Sequence, residues 1–109
     1  MKLWIDDVRP APEGYVWLKS TNSALRFIRT NKLEIKHISL DHDAGDYYTE
    51  GGDFIGVLNE LERLSHHQTP QGVLWKVWLQ DITFSLHSAN PVGVANMRAI
   101  IERNGWKEI

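Results

Sequence analysis

A chain of 109 residues suffices for one domain around one core, and 42% apolar with 24% charged residues is a globular balance that excludes wholesale disorder. A net charge of -2 excludes a basic coat for nucleic acid, so no generic DNA-binding surface is expected, although a small nucleotide or an RNA end is still admissible. The absence of cysteine excludes disulfides, thiolate zinc sites and a cysteine nucleophile.

The chain opens with Lys2-Leu3-Trp4-Ile5, a strand that runs directly into Asp6-Asp7-Val8-Arg9-Pro10. The apolar residues ahead of Asp6 are too few for a signal-peptide core, and no apolar run reaches membrane-spanning length, so a cytoplasmic chain is expected. Continuous apolar strands are expected where helices cover both faces of a sheet, and the ligand crevice of an open α/β sheet lies beyond the carboxyl ends of its strands. Asp6 and Asp7 would sit at such a rim. Their bland alternative is a solvated turn. Prolines and a glycine make residues 9–14 a loop. Tyr15-Val16-Trp17-Leu18 reads as a second strand, and Ser20 or Thr21 caps a helix with Ala24, Leu25 and Ile28 inward.

A third strand, Ile35 to Leu40, delivers Asp41-His42-Asp43, with His37 expected to alternate outward. A polar loop with Tyr47 and Tyr48 follows. Asp53 is the predicted N-cap of a helix whose Phe54, Val57, Leu58, Leu61 and Leu64 make one apolar stripe ending near His66-His67, a solvated helix end. Residues 72–79 carry Trp75 and Trp78 and fit either an edge strand or a connector over the sheet. Ile82 to Leu86 is a further strand that delivers His87-Ser88-Ala89-Asn90. Asn90 then caps and Pro91 opens a helix with Val94, Met97, Ile100 and Ile101 inward, stopped at Asn104-Gly105 before a short last strand.

The pattern β-β-α-β-α-β-α-β predicts a single α/β domain over 1–109, with right-handed crossovers placing helices over a mostly parallel sheet. A strand order of about 2-1-3-4, with a possible fifth, brings Asp6, Asp7, Asp41, His42, Asp43, His87, Ser88 and Asn90 to one rim. The first connection is too loop-like for a helix.

This arrangement resembles a three-layer, flavodoxin-like receiver domain, in which an acidic pair follows the first strand, an aspartate the third and Ser/Thr-Ala the fourth. Asp6-Asp7, Asp41 and Ser88-Ala89 match. More closely, Leu3-Trp4-Ile5-Asp6-Asp7-Val8-Arg9-Pro10, Ser39-Leu40-Asp41-His42-Asp43 and His87-Ser88-Ala89-Asn90-Pro91-Val92-Gly93 resemble the cyclic-phosphate processing receiver-like family. The resemblance implies processing of cyclic phosphate groups on nucleotides or RNA ends, in the setting of RNA repair. Signalling receivers carry a lysine after the fifth strand, and Lys107 does not match it, which speaks against an aspartyl-phosphate switch.

Opening a cyclic phosphodiester needs a neutralised phosphate, an activated water and a proton for the departing oxygen. Asp6, Asp7 and Asp41 could hold a hard divalent ion such as Mg²⁺, which would polarise a phosphoryl oxygen. His87 is the first candidate for general acid or base, because an imidazole with a pKa of about 6.5 exchanges protons near neutrality. His42 is the second, with Asp41 in the same catalytic group and Asp43 orienting a histidine or joining the metal site. Arg9, Ser88 and Asn90 could bind phosphate oxygens. Each has a plainer role: His87 bonded to a strand-end carboxylate, Ser88 and Asn90 as helix caps, Arg9 paired with Asp6 or Asp7. Two other readings are a module that captures a nucleotide or cyclic nucleotide uncleaved, and a degenerate receiver that docks a protein through residues 72–79.

Overall fold

Apolar residues at alternate strand positions and capped amphipathic segments give nine regular elements in the computed structural model, which describes residues 1–109. They are β1 (Lys2–Ile5), β2 (Tyr15–Leu18), α1 (Thr21–Asn31), β3 (His37–Leu40), α2 (Ile55–Ser65), α3 (Pro70–Asp81), β4 (Thr83–Leu86), α4 (Pro91–Arg103) and β5 (Lys107–Glu108). All pairings are parallel and the order is β2-β1-β3-β4-β5, the receiver-like topology anticipated from the sequence. No helix is long and apolar enough to cross a membrane.

The order decides where the helices lie. From β2 to β3, β3 to β4 and β4 to β5 the chain advances in one direction across the sheet, so right-handed crossovers put α1 to α4 on the same face. There α2 packs against α1, α3 and α4. Only the step from β1 to β2 goes backwards, so its connection falls on the other face, where it is the 6–14 loop expected in place of a first helix. Helices therefore cover one face and not the two of the three-layer arrangement expected from the sequence, because the single backward connection is a loop, and the strands alternate accordingly. Leu3, Ile5, Ile38, Leu40 and Phe84 are wholly buried in the core beneath the helices. Their neighbours Trp4, Ser39 and Ser85 face the other way in register, as do Lys2, His37 and Thr83.

Three local expectations change. Residues 70–81 form a helix, because Thr69 accepts a hydrogen bond from the Gly72 amide (3.1 Å) and Pro70 occupies the first turn. Trp75 and Trp78 are buried, edge to face at 5.7 Å, so they are core and offer no docking surface. Asp53 does not cap α2. Its Oδ1 accepts the Ala44 amide at 3.0 Å, closing the 44–53 loop, and the helix starts at Ile55 without a side-chain cap. His37 points away from the helices, as the alternation requires, but it is only 8% exposed, because Thr83 and Ser85 of the adjacent strand hold its ring against the sheet. The Ser20 cap of α1 and the Asn90 cap of α4, with Pro91 behind it, form as expected.

Candidate functional site

Register brings three strand ends side by side. Ile5 pairs with Leu40 and Leu40 with Leu86; the Asp41 amide donates to the Ile5 carbonyl (2.9 Å) and the His87 amide to the Leu40 carbonyl (3.0 Å). Asp6, Asp41 and His87 are thus the first residues beyond β1, β3 and β4. Asp6 is fully buried. Its Oδ1 accepts the amides of Val8 (2.9 Å) and Arg9 (3.0 Å), which folds the chain back at the rim, and Trp17 Nε1 donates to its carbonyl at 2.8 Å.

Arg9 ties the rim together. Its Nε lies 3.3 Å from Asp6 Oδ2, Nη2 donates to Asp41 Oδ1 at 3.3 Å, and Nη1 donates to the His87 carbonyl at 2.6 Å. The Arg9 carbonyl in turn accepts from Trp4 Nε1 at 2.9 Å. The bland alternative for Arg9 is therefore observed, yet half of the side chain is exposed and has N–H groups left over. Asp7 completes the acidic cluster: Asp6, Asp7 and Asp41 offer oxygens all within 4.8 Å of one another. Burial, opposed by its own backbone N–H and reinforced by the Asp6 and Asp41 charges, pushes the Asp7 carboxyl above the usual range. Gly45 lies against it, and a Cβ there would run into the Asp7 carboxylate. Three hard oxygen donors suit a divalent ion such as Mg²⁺ by their chemistry, with Asp7 and Asp41 carrying the free lone pairs, since both oxygens of Asp6 already accept hydrogen bonds.

Both ring nitrogens of His87 are engaged. Nε2 lies 2.9 Å from Asp6 Oδ2 and Nδ1 2.8 Å from Ser39 Oγ, and the ring stacks on Trp4 at 3.7 Å and 6°. Burial lowers its pKa against the upward pull of Asp6, so the ring is held neutral at pH 7. His42 differs. Its Nδ1 donates to Asp43 Oδ1 (2.8 Å), which leaves Nε2 with no partner. The Asp43 carboxyl sits below the usual range, chiefly through the His42 hydrogen bond and then that of Asn90. Asn90 Oδ1 accepts from the Gly93 amide (2.9 Å) and Nδ2 donates to Asp43 (3.2 Å), while Ser88 Oγ accepts the Asn90 amide at 3.1 Å. Gly93 lets the helix start approach the His42 ring, which a Cβ would strike. His42, Asp43 and Asp53 form a second group whose ligand atoms lie within 4.8 Å of one another.

The sequence-predicted residues thus fall into two adjoining groups: Asp6, Asp7, Asp41, Arg9 and His87, and His42, Asp43 and Asn90 with Ser88 at the helix start. Sequence reasoning missed Trp4 and Ser39 as parts of the site. Their signal was the strand alternation, since each stands two residues before a rim aspartate and so shares its face.

The family model described as the cyclic-phosphate processing receiver domain matches residues 1–103. Neither a curated protein nor a solved structure matches the chain.

Proposed function

The chain belongs to the cyclic-phosphate processing receiver domain family, and from that membership we propose that it hydrolyses cyclic phosphate groups on nucleotides or RNA ends at the rim of its sheet. The observation that carries this reading is the acidic cluster of Asp6, Asp7 and Asp41 bound to a half-exposed guanidinium, with the His42–Asp43 pair on the same β3 end. Asp6, Asp7 and Asp41 would hold Mg²⁺, which when bound supplies charge to a phosphoryl oxygen.

The residues themselves have separate tasks. Arg9 offers its spare N–H groups to a phosphate oxygen while keeping Asp6 and Asp41 together. The Ser88 hydroxyl hydrogen is available for a second oxygen. Asp43 fixes His42 with the proton on Nδ1, so that bare Nε2 takes a proton from the attacking water. The water oxygen bonds to phosphorus, one P–O ester bond breaks, and the departing oxygen is protonated from solvent, to which His42 returns its proton. His87 holds Asp6 in place.

Phosphorus NMR on cyclic nucleotides and on RNA ends bearing a cyclic phosphate, with and without Mg²⁺, tests the proposal. A new monoester signal is expected, stronger with Mg²⁺; its absence with every substrate would overturn the reading. One feature favours capture without cleavage: both nitrogens of His87 are already bonded, so the β4 side of the rim has no free base. Calorimetric binding with the ligand recovered intact would select that alternative.

A further inference from the structure

Away from the rim, the face of the sheet opposite the helices carries a continuous line of hydrogen bonds that ends on Asp6. Thr83 Oγ1 lies 2.7 Å from His37 Nδ1, His37 Nε2 lies 2.9 Å from Ser85 Oγ, Ser85 Oγ–H donates to Ser39 Oγ at 2.8 Å, and Ser39 Oγ lies 2.8 Å from His87 Nδ1. The last link is His87 Nε2 to Asp6 Oδ2 at 2.9 Å. Each histidine has both nitrogens committed, and each is bonded within the line on both sides.

The chemistry of the groups fixes the protons. A carboxylate only accepts, so a neutral His87 carries its proton on Nε2 and leaves Nδ1 bare. The Ser39 hydroxyl must then donate to Nδ1, and its oxygen accepts from Ser85. Ser85 in turn accepts from His37 Nε2–H, and bare His37 Nδ1 accepts from Thr83. With both imidazoles neutral, every donor points towards Asp6. One other arrangement satisfies every group: His87 protonated on Nδ1, each hydroxyl reversed, and His37 protonated on Nδ1 and donating to Thr83. It requires Asp6 Oδ2 to stop accepting from His87.

We propose that this line is a two-state proton arrangement in which Ser39, Ser85 and His37 are positioning residues, so that whatever engages Asp6 at the rim resets the tautomers of His87 and His37 together. The coupling stands on the hydrogen-bond geometry; its use in the reaction rests on the cyclic-phosphate reading. Engagement of Asp6 turns His87 Nε2 from a donor into a bare acceptor facing the rim, with no change in net charge. The resting protein thereby keeps this nitrogen masked by Asp6 until the rim is occupied.

Asp6→Asn forces the reversed state without any ligand. Oδ1 accepts the Val8 and Arg9 amides, so the asparagine oxygen keeps that side and its Nδ2 faces His87. Nitrogen-15 NMR of the imidazoles, above the range in which they protonate, reads each tautomer directly. The natural chain is expected to show both rings protonated on Nε2 and Asp6→Asn to show both on Nδ1; in Asp6→Asn with Ser39→Ala, His87 is still on Nδ1 while His37 no longer holds a single tautomer. A His37 ring that keeps its Nε2 proton while His87 switches in Asp6→Asn would overturn the proposal, as would opposite tautomers in the natural chain. Should Asp6→Asn not fold, Ser39→Ala alone decides: His37 must lose its single tautomer while His87 keeps its own, and an unchanged His37 refutes the coupling. No substrate is involved, so absence of phosphoesterase activity leaves this test intact.

Discussion

Arg9 serves two carboxylates and a carbonyl through one planar group, a geometry that an ammonium cannot copy. Arg9→Lys is therefore expected to destabilise the protein by about 1 kcal/mol, a charged hydrogen bond discounted for a half-exposed side chain, as measured by urea unfolding. It is also expected to slow monoester release roughly tenfold or more, equivalent to ~1.4 kcal/mol in the barrier. Asp7 behaves in the opposite sense. Folding holds its carboxyl against burial and two like charges, so Asp7→Asn should raise the melting temperature in metal-free buffer, by less than about 1 kcal/mol of stability. The same variant should abolish any stabilisation by Mg²⁺, which thermal melts with and without the ion compare directly. The rim positions of Asp6, Asp41 and His87, with Asp7 beside Asp6, were legible in the sequence because each follows a short, β-branched or aromatic apolar run bounded by turn residues. The partners of Ser39 and His37 were not, because Ser85, Thr83 and His87 come from another strand and are matched to them only by register.

Among the elements, α3 shows where pattern reading fails. Its exposed side carries Val73, Leu74 and Val77 while Trp75, Trp78 and Leu79 are buried, so no polar stripe marks its period and a short apolar run fits strand or helix alike. The signal that decides is local: Thr69, Pro70 and a glycine at the third helical position. Gly72 is needed for space, since a Cβ there would collide with the His67 carbonyl. Alanine ordinarily favours a helix over glycine by up to about 1 kcal/mol. Here Gly72→Ala is nevertheless expected to destabilise by about 1–3 kcal/mol, because the obstacle is backbone and must shift. Chemical denaturation would read the sign, and a stabilised variant would refute the close approach. Asp53 was misread for a related reason: its oxygen serves an amide earlier in the chain, and only the folded 44–53 loop reveals that competitor.

Across the whole molecule, burial lowers the pKa of both His37 and His87 from the ordinary 6.5, with Lys2 adding to the effect at His37. At these two rings the unfolded chain therefore binds more protons than the folded one once the pH drops below about 6.5, so they contribute a loss of stability on acidification, against which the raised Asp7 carboxyl acts in the opposite sense at lower pH. Melting temperature is expected to decrease from pH 7 to pH 5, and His37→Gln is expected to flatten that decrease. The clamp between α2 and α4 does not contribute in this window. Hydrogen bonds from Arg103 hold the Glu62 carboxyl down to about 2 from 4.5, so its stabilisation is fully present above 4.5 and is lost only as the pH falls through about 2. The topology was legible at this scale because crossover handedness and strand-end acids agree on one order. The one-sided helix layer follows from the same order, since the single backward step is the one without a helix.

That alternation assigns foldability and reactivity to different residues of the same four-residue strands. Point substitutions on the polar side can retune chemistry while collapse proceeds as before. Deleting a single codon inside β1 would exchange the two sides of that strand and is expected to abolish both properties at once, whereas single replacements are expected to be tolerated.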